Sequence, residues 1–337
     1  MKTVIKLLAC LLALLLLALP LASCSEKPGD EETTPGGGDP VPTPDTDLPI
    51  RIQLLNGTTA LGAAALIASD NEMSYEIEIQ AAADKVTGTI VSGEADIAAL
   101  PTNVAAKLYK ANPDKIRLLA VNTLGVLYLL ANGETVTDIS SLANKTVYVP
   151  GAGSNPEYIT KALVDAYGVA NVTVDATSYP SPDELATAVA SGNAKLAVLP
   201  EPKVTVVCTK NASVSVALDM TAAWEEKYGE NTLAQGCLVV NKAFADAHPV
   251  ELSRFLDDYK RSVETVKSMS DEAIAMIVDA KLLPSAGVAK NALPNCNLCF
   301  IEGEAMKTAM KVCYEKFYEA DPKSILAVPD DAFYYVR

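Results

Sequence analysis

Apolar and small residues recur in the same order in two short segments of this chain. Val91–Pro101 reads VSGEADIAALP and aligns without gaps with Ala190–Pro200, which reads ASGNAKLAVLP. In each segment a glycine, Gly93 or Gly192, is placed to end a helix, and an apolar run follows it up to a proline. The pattern therefore predicts a helix and then a short buried strand at both places.

The correspondence extends upstream, because helices are predicted over Asp84–Val91 and Asp183–Ala190, each with a strand before it. The four further strands predicted are Ile50–Leu55, Tyr75–Gln80, Thr146–Val149 and Val172–Ala176. Each half of the chain thus follows the order strand, turn, helix, strand, helix, strand. This order is typical of mainly parallel sheets with helices on their faces, so the repeat predicts an α/β fold of two similar lobes.

Two helix starts in the second half carry a capping pattern. Serine precedes glutamate by three residues in Ser154–Glu157 and again in Ser181–Glu184. In such a capping box the serine accepts a hydrogen bond from the glutamate N–H, and the glutamate side chain reaches back. Pro182 suits the first helical position. We therefore expect helices to begin at these two serines.

Two long apolar segments are predicted to connect the lobes. Ile116–Leu130 is interpreted as a strand that leaves the first lobe and enters the second, and Leu233–Val240 as the return crossing. The two predicted hinges lie near Asn122 and Leu238. The predicted lobes are residues 48–121 with 238–337 for the first and residues 122–237 for the second.

The N-terminus indicates the compartment. Lys2 and Lys6 precede an apolar run, Leu7–Leu19. This run is shorter than the roughly 20 residues that a membrane span needs. Residues 1–23 are therefore predicted to be a secretory signal peptide. Small residues then precede Cys24, as in the bacterial lipobox, where the cysteine is acylated and becomes the mature N-terminus. The polar stretch Ser25–Asp47 completes a predicted lipidated tether over residues 24–47. We therefore expect a bacterial, extracytoplasmic protein anchored to the cell membrane by lipid.

Charge and cysteine content narrow the function. The net charge of −15 argues against a nucleic-acid partner, because phosphates need a basic face. Beyond Cys24 the chain has an odd number of cysteines, which cannot all pair within it. They are Cys208, Cys237, Cys296, Cys299 and Cys313. Only Cys296 and Cys299 form a CxxC pair, with no histidine nearby, so we expect neither a metal site nor a cofactor, and the pairing of the thiols stays open.

A candidate binding site follows from the predicted fold. In parallel α/β sheets, ligands bind outside the carboxyl ends of the strands, in the loops that lead to the next helix. Helix N-termini in such loops attract anions and polar oxygens, yet none of the five arginines falls here, which disfavours a strongly charged oxyanion. The predicted ligand-binding residues are Asn56, Gly57, Thr58, Thr59, Asp84, Thr102, Asn103, Gly153, Ser154, Asn155, Tyr179 and Glu201.

Two of these residues have a specific predicted role and an equally ordinary alternative. Glu201 lies between two prolines in a loop expected to face the cleft, where its carboxylate can bind an amine or an amino-substituted ring. The alternative is a solvated loop charge. Tyr179 can form one wall of the site for an aromatic ligand, or it can simply pack in its turn.

At several segments the chain resembles the periplasmic-binding proteins of nitrate, sulfonate and taurine importers, which are related to thiamine-precursor-binding proteins. The matching segments are Gly93–Ala98, Ile139–Gly151, Gly192–Pro200, Phe255–Ser262 and Val328–Tyr335. The resemblance implies a type II two-lobed fold with two hinge crossings. It also implies a monomer that captures a small organic solute and has an ABC permease and ATPase as partners. Many relatives have an aromatic residue, an acidic residue and a proline at the segment that corresponds to Leu199–Pro202. This chain differs from them there, so the resemblance does not identify the solute.

Two other classes of function were weighed against solute binding. Some proteins of this fold make a pyrimidine and use histidine with clustered cysteines, but the sole histidine here is His248, before Pro249 and away from the candidate loops. No Ser/His/Asp set is available, although a carboxylate pair such as Asp84 and Glu201 can do acid–base work. A non-transport surface receptor is the third class. The predicted cleft favours a non-enzymatic binder that closes by its hinges.

Replacing Cys24 by alanine tests the predicted anchor. Because the thiol is the expected site of acylation, Cys24→Ala should block lipid attachment and release the protein from the membrane fraction. Cell fractionation and the intact mass of the processed chain measure this. Cys10→Ala, inside the predicted signal peptide, is the matched control and should leave anchoring unchanged. Normal processing and membrane retention of Cys24→Ala would show that the anchor prediction is wrong.

Overall fold

The computed structural model describes residues 43–68, 72–230 and 232–337, so the predicted signal peptide, Cys24 and most of the tether lie outside the described residues. The strands, in chain order, are β1 (Ile50–Leu55), β2 (Tyr75–Gln80), β3 (Ile97–Pro101), β4 (Ile116–Leu124), β5 (Leu127–Asn132), β6 (Thr146–Tyr148), β7 (Thr173–Asp175), β8 (Leu196–Pro200), β9 (Val214–Asp219), β10 (Ala234–Asn241) and β11 (Leu298–Glu302).

The helices, in chain order, are α1 (Thr58–Leu61), α2 (Ala64–Ala68), α3 (Ala83–Ser92), α4 (Thr102–Ala111), α5 (Asn155–Ala166), α6 (Pro182–Ala190), α7 (Lys203–Lys210), α8 (Met220–Tyr228), α9 (Lys242–Ala247), α10 (Pro249–Lys267), α11 (Asp271–Asp279), α12 (Ala286–Ala292) and α13 (Gly303–Ala320). Short 3-10 helices cover Ile139–Leu142, Leu293–Asn295, Pro322–Ser324 and Asp331–Phe333. Within the described ranges, none of the helices combines the length and the apolar character that a membrane crossing requires.

The strands form two mixed sheets that share one plan. The six-stranded sheet has the order β11-β4-β10-β3-β1-β2, and the five-stranded sheet has the order β7-β6-β8-β5-β9. Strands β1, β2 and β3 run parallel, as do β6, β7 and β8, whereas β10 and β5 are each antiparallel to their neighbours. Strand β11 is also antiparallel to its neighbour β4. Strands β10 and β5 are the ones that arrive from the other half of the chain. The predicted two-lobed α/β fold with mainly parallel sheets is confirmed.

The internal repeat appears as matching local structure. Gly93 and Gly192 end α3 and α6 and have the same φ of 80°, a left-handed conformation that glycine adopts without strain. Asn241, the last residue of β10, donates from Nδ2 to a carbonyl of α3 at 2.9 Å. Asn132, the last residue of β5, makes the same 2.9 Å bond to a carbonyl of α6. In each sheet, therefore, the strand that arrives from the other half of the chain bonds to the C-terminal end of the helix that stops at the repeat glycine. That helix is α3 for β10 and α6 for β5.

The prediction of one continuous strand over Ile116–Leu130 is wrong, because the chain breaks at residues 125–126 into β4 and β5 in different sheets. Gly125 is in very close contact with α8, since a Cβ built on it would lie 2.2 Å from Thr221 Oγ1. The predicted return crossing, Leu233–Val240, nearly coincides with β10, which pairs with β3 and β4 in the six-stranded sheet. The chain therefore returns between β9 and β10, and the predicted lobe boundaries at 121/122 and 237/238 fall inside β4 and β10.

A continuous apolar core joins the two halves. One buried cluster includes residues of both sheets together with α5, α8 and α13. At its centre the fully buried Trp224 of α8 packs edge-on against Phe317 of α13, with ring centroids 5.6 Å apart. The indole N–H donates to Thr232 Oγ1 at 3.1 Å, in the loop that leads to β10. Trp224 thus links α8 to α13 and to the loop through which the chain returns to the six-stranded sheet.

Adding a methyl group at Gly125 tests the importance of the close contact at the first crossing. Gly125→Ala is expected to destabilise the protein by about 1–3 kcal/mol, because the new Cβ overlaps Thr221 and the core must shift. Gly88→Ala is the matched control: Gly88 lies inside α3 with open space around it, so alanine there should stabilise by about 0.5–1 kcal/mol. Urea unfolding measures both. Equal stability of Gly125→Ala and the wild type would refute the steric account.

Candidate functional site

Loops from the carboxyl ends of strands in both sheets meet in a set of direct hydrogen bonds. We call Thr102, Asn103, Gly153, Asn155 and Gln235 the amide junction. Asn103, in the first turn of α4, donates from Nδ2 to the Gly153 carbonyl at 3.1 Å. Asn155, at the start of α5, donates from Nδ2 to Thr102 Oγ1 at 3.4 Å and to the Gln235 carbonyl at 3.3 Å. The structure therefore brings four predicted site residues together with one, Gln235, that was not predicted.

The amide junction contains two acceptors without donors. The Thr102 hydroxyl donates to the Ala234 carbonyl at 2.7 Å and so accepts from Asn155. The Oδ1 atoms of Asn103 and Asn155 are buried and have no hydrogen-bond partner among the described residues. Polar atoms in such a position are unusual, because most buried acceptors are paired.

A charged group borders the amide junction. Lys107 Nζ lies 3.5 Å from the Gly153 carbonyl and 4.8 Å from the ring centroid of Tyr158. Desolvation lowers the pKa of Lys107, while the charges of Asp321 and Glu157 act in the opposite direction. Glu157 in turn accepts from the Gly153 N–H at 2.6 Å. The chain at Gly153 is therefore held by partners from both α4 and α5.

The serine cap of both predicted capping boxes is present, whereas the Glu157 side chain reaches back to the Gly153 N–H and not to that of Ser154. Ser154 Oγ accepts from the Glu157 N–H at 3.4 Å, and Ser181 Oγ accepts from the Glu184 N–H at 3.2 Å. The Ser154 hydroxyl also donates to the Pro150 carbonyl at 2.7 Å. Because its proton and one lone pair are already used, the main role of Ser154 in this arrangement is to cap α5.

Glu201 lies in a second polar contact between the two halves. It is 2% exposed, which does not fit the alternative of a solvated loop charge. Its carboxylate accepts from the Thr205 N–H at 3.1 Å and from Thr205 Oγ1 at 2.8 Å, and its own N–H donates to the Val126 carbonyl at 3.0 Å. Burial raises the pKa of Glu201, while hydrogen bonds from Thr205 and the Asn295 side chain oppose the rise. Asn295 belongs to the chain that packs on the six-stranded sheet, so Glu201 contacts both halves.

The predicted loop Asn56–Thr59 lies at the start of α1 and is linked to the first crossing. Tyr259 donates from its hydroxyl to the Thr59 carbonyl at 3.3 Å, and Asn122 Nδ2 donates to that hydroxyl at 3.0 Å. Gly57 has a φ of 128°, which permits the sharp entry into the helix. Asn56 is exposed and Thr58 is half-buried, so their side chains remain accessible from solvent.

Two predicted residues lie apart from the amide junction. Asp84 is exposed at the start of α3 and borders a shallow groove with Gln53 and Glu78. Tyr179 is half-buried and packs edge-on against Tyr148, with ring centroids 5.3 Å apart. No hydrogen bond found among the described residues joins Asp84 or Tyr179 to the junction.

The cysteines and the histidine lie in ordinary packed environments. Burial raises the pKa of Cys296, and that of Cys299 to about 12, which disfavours their thiolates. His248 stacks on Phe244 at a centroid distance of 5.0 Å, where α9 meets α10. Over residues 43–68, 72–230 and 232–337, no group of three or more His, Cys, Asp or Glu side chains is placed to hold a metal ion. The free thiols of this part are Cys208, Cys237, Cys296, Cys299 and Cys313.

Comparison with known sequences identifies the family. The profile of the family described as NMT1/THI5 like matches residues 70–273, which is more than half of the chain. The protein belongs to the NMT1/THI5-like family. This confirms the resemblance seen in the sequence. No curated protein is similar enough in sequence to count as a relative.

Solved structures show the same fold. An ABC transporter protein from Parabacteroides distasonis is 19% identical with a TM-score of 0.71, and the match covers 86% of this chain and 99% of that one. The aliphatic sulphonate-binding protein SsuA of Escherichia coli is 14% identical with a TM-score of 0.64, covering 80% and 87%. The alkanesulfonate-binding protein SsuA of Xanthomonas axonopodis pv. citri, bound to MOPS, is 13% identical with a TM-score of 0.63, covering 86% and 96%.

Three polar residues of the site were missed by sequence reasoning. Gln235 is the second residue of β10, and a polar residue ahead of the apolar run Cys237–Val240 is the signal that marks it. Asn295 ends a 3-10 helix and Lys107 lies in the middle of α4, where polar residues are common. Their importance comes from contacts that are distant in sequence, and these leave no local pattern.

The pH dependence of stability tests the burial of Glu201. Because burial raises the pKa of Glu201 above its unfolded value of about 4.3, folding favours the protonated carboxyl. The stability that this group contributes is therefore fully present below the unfolded pKa and is lost as pH rises through the folded pKa. The free energy of unfolding of the wild type minus that of Glu201→Gln should fall between pH 4 and neutrality.

Urea unfolding at a series of pH values gives this difference. Thr205→Val is a second variant for the same comparison, because it removes a hydroxyl that stabilises the carboxylate. In that background the fall should extend to higher pH and become larger, because only the folded pKa rises. A difference that is flat or rises with pH would mean that Glu201 is not desolvated in the folded protein.

Proposed function

We propose that the protein is the extracytoplasmic solute-binding lipoprotein of an ABC importer. It captures a small organic solute in a cleft between two lobes. The observation that carries the proposal is the amide junction, where side chains at the carboxyl ends of strands in two separate sheets face each other directly. Sites at the carboxyl ends of strands are the usual ligand positions in open α/β sheets.

Hinge closure is the proposed mechanism. The lobes are those predicted from the sequence, residues 48–121 with 238–337 and residues 122–237, with their boundaries moved to the ends of β4 and β10 so that the six-stranded sheet stays whole. Two passages of chain allow the lobes to rotate relative to each other while each sheet keeps its own structure. A solute that touches both lobes binds the closed arrangement better than the open one and shifts the population toward closure.

Partners and location follow from this role. Similar structures include a ligand-binding component of an ABC-type import system from Staphylococcus aureus and sulfonate-binding proteins of several bacteria. Such a role implies a permease and an ATPase as partners. In the proposal, lipid on Cys24 holds a monomer at the membrane, with the tether up to Asp47 as a spacer.

An enzyme of the same fold is the alternative, because the NMT1/THI5 family includes a synthase. A buried carboxyl with a raised pKa, such as Glu201, is the kind of group that serves as a general acid or base. Its oxygens are, however, already bonded to Thr205 and Asn295, and His248 is on a helix junction. These contacts support binding without chemistry.

Native mass spectrometry of the purified protein, before and after denaturation, tests the proposed function. A bound small molecule should be released on denaturation. Adding it back at 100 times its Kd should stabilise the empty protein by about 2.7 kcal/mol in thermal unfolding. Chemical turnover of that molecule, abolished in Glu201→Gln, would instead establish an enzyme.

A further inference from the structure

Two buried amide oxygens in the amide junction have no donor among the described residues. Asn103 is 0% exposed and Asn155 is 5% exposed, and neither Oδ1 atom has a hydrogen-bond partner among the described residues. Buried acceptors in folded proteins are nearly always paired with protein, water or ligand. These oxygens lie where the strand ends of both sheets meet, which is the expected position of a ligand.

Rotating the amides does not supply such a donor. Asn155 Nδ2 faces two acceptors, the Gln235 carbonyl at 3.3 Å and Thr102 Oγ1 at 3.4 Å, and the Thr102 proton is already donated to a backbone carbonyl. Asn103 Nδ2 faces the Gly153 carbonyl at 3.1 Å. Turning either amide over would place oxygen against oxygen and lose these bonds. The orientation is therefore fixed by the network, and both Oδ1 atoms are held as acceptors.

The Glu157 carboxylate beside Gly153 is already paired with Lys161 and with the Gly153 N–H, so the remaining charges around the junction disfavour a cationic donor. Lys107 Nζ is 3.5 Å from the Gly153 carbonyl, and the N-termini of α4 and α5 carry partial positive charge. No side chain caps the first N–H groups of α4. One uncharged group that satisfies both amide oxygens needs two donors, which an NH2 group has and a hydroxyl lacks, and an acceptor oxygen on the same group can face α4.

We propose that the amide junction recognises a primary carboxamide or urea group of the solute rather than a sulfonate. One NH2 group can donate to Asn103 and to Asn155, and its carbonyl can face the first turn of α4. Sulfonate oxygens would suit the helix N-termini but would face the two amide oxygens, which they cannot satisfy. This assignment rests on the proposed solute-binding function.

A series of four pyridines tests the assignment, because its members differ in one substituent. They are nicotinamide, 3-acetylpyridine, nicotinate and pyridine-3-sulfonate. Isothermal titration of the full processed chain should show that nicotinamide binds at least tenfold more tightly than each of the others. Equal or tighter binding of the ketone, which lacks N–H donors, or of either anion would overturn the assignment.

Substitutions then locate the recognition. Asn103→Leu and Asn155→Leu remove the two acceptors at similar volume, and each should weaken nicotinamide binding at least tenfold. Asn132→Leu is the matched control, since it removes a buried bond to α6 away from the junction and should leave the preference unchanged. Should the leucine variants fail to fold, the titration series on the wild type carries the test, because its four members differ in one substituent. Unchanged binding in folded leucine variants would show that water supplies the donors.

Failure of this assignment can be separated from failure of the proposed function. A sulfonate or carboxylate that is released in native mass spectrometry would overturn the carboxamide assignment and leave solute binding intact. Absence of binding by all four pyridines would also overturn the carboxamide assignment. Only an empty protein in native mass spectrometry, together with no binding in the titrations, would count against solute binding itself.

Discussion

The pairing of β4 with β10 is the interaction on which the rest of the structure depends. These strands adjoin the chain's two passages between the sheets, and they lie side by side within the six-stranded sheet. Every residue of β10 is buried, so its backbone hydrogen bonds are shielded from competition by water. Gln235 links the passages further, because its Oε1 accepts from the Val126 N–H at 2.6 Å. The chain's two passages between the sheets are therefore held side by side, which limits how the loops of the two sheets can be placed.

Much of the fold could be predicted from the sequence, because residues that start and end helices recur at matching positions of the repeat. Gly93 and Gly192 stop helices by their left-handed backbone, and Ser154 and Ser181 start helices as caps, so each signal acts within a few residues. The break at Gly125 could not be predicted, because the apolar run continues through it. What imposes the break is the close approach of Thr221, almost a hundred residues away along the chain.

Only part of the candidate site could be predicted, because some of its contacts also depend on residues that are distant in sequence. The rule that ligands bind at the carboxyl ends of strands selected Asn103 and Asn155, which the structure brings together, and also Asp84, which it places in an exposed groove. The rule gives the edge of the sheet but not the direction of a side chain. Glu201 shows a further limit, since its carboxylate is bonded to Thr205 one helical turn away in a way that loop composition does not reveal.

Under the proposed function, the half-satisfied amide junction gives a physical reason for closure to depend on solute. When the lobes meet without a donor, Asn103 and Asn155 each leave a buried acceptor unpaired, and such an atom costs about 1–3 kcal/mol. Two of them together are comparable to the few kcal/mol that separate open and closed states in hinged proteins. A solute that supplies the donors removes this cost only in the closed state, because only there are both residues in reach. In that proposal, the same polar network that makes the empty closed form unfavourable also makes the filled one specific.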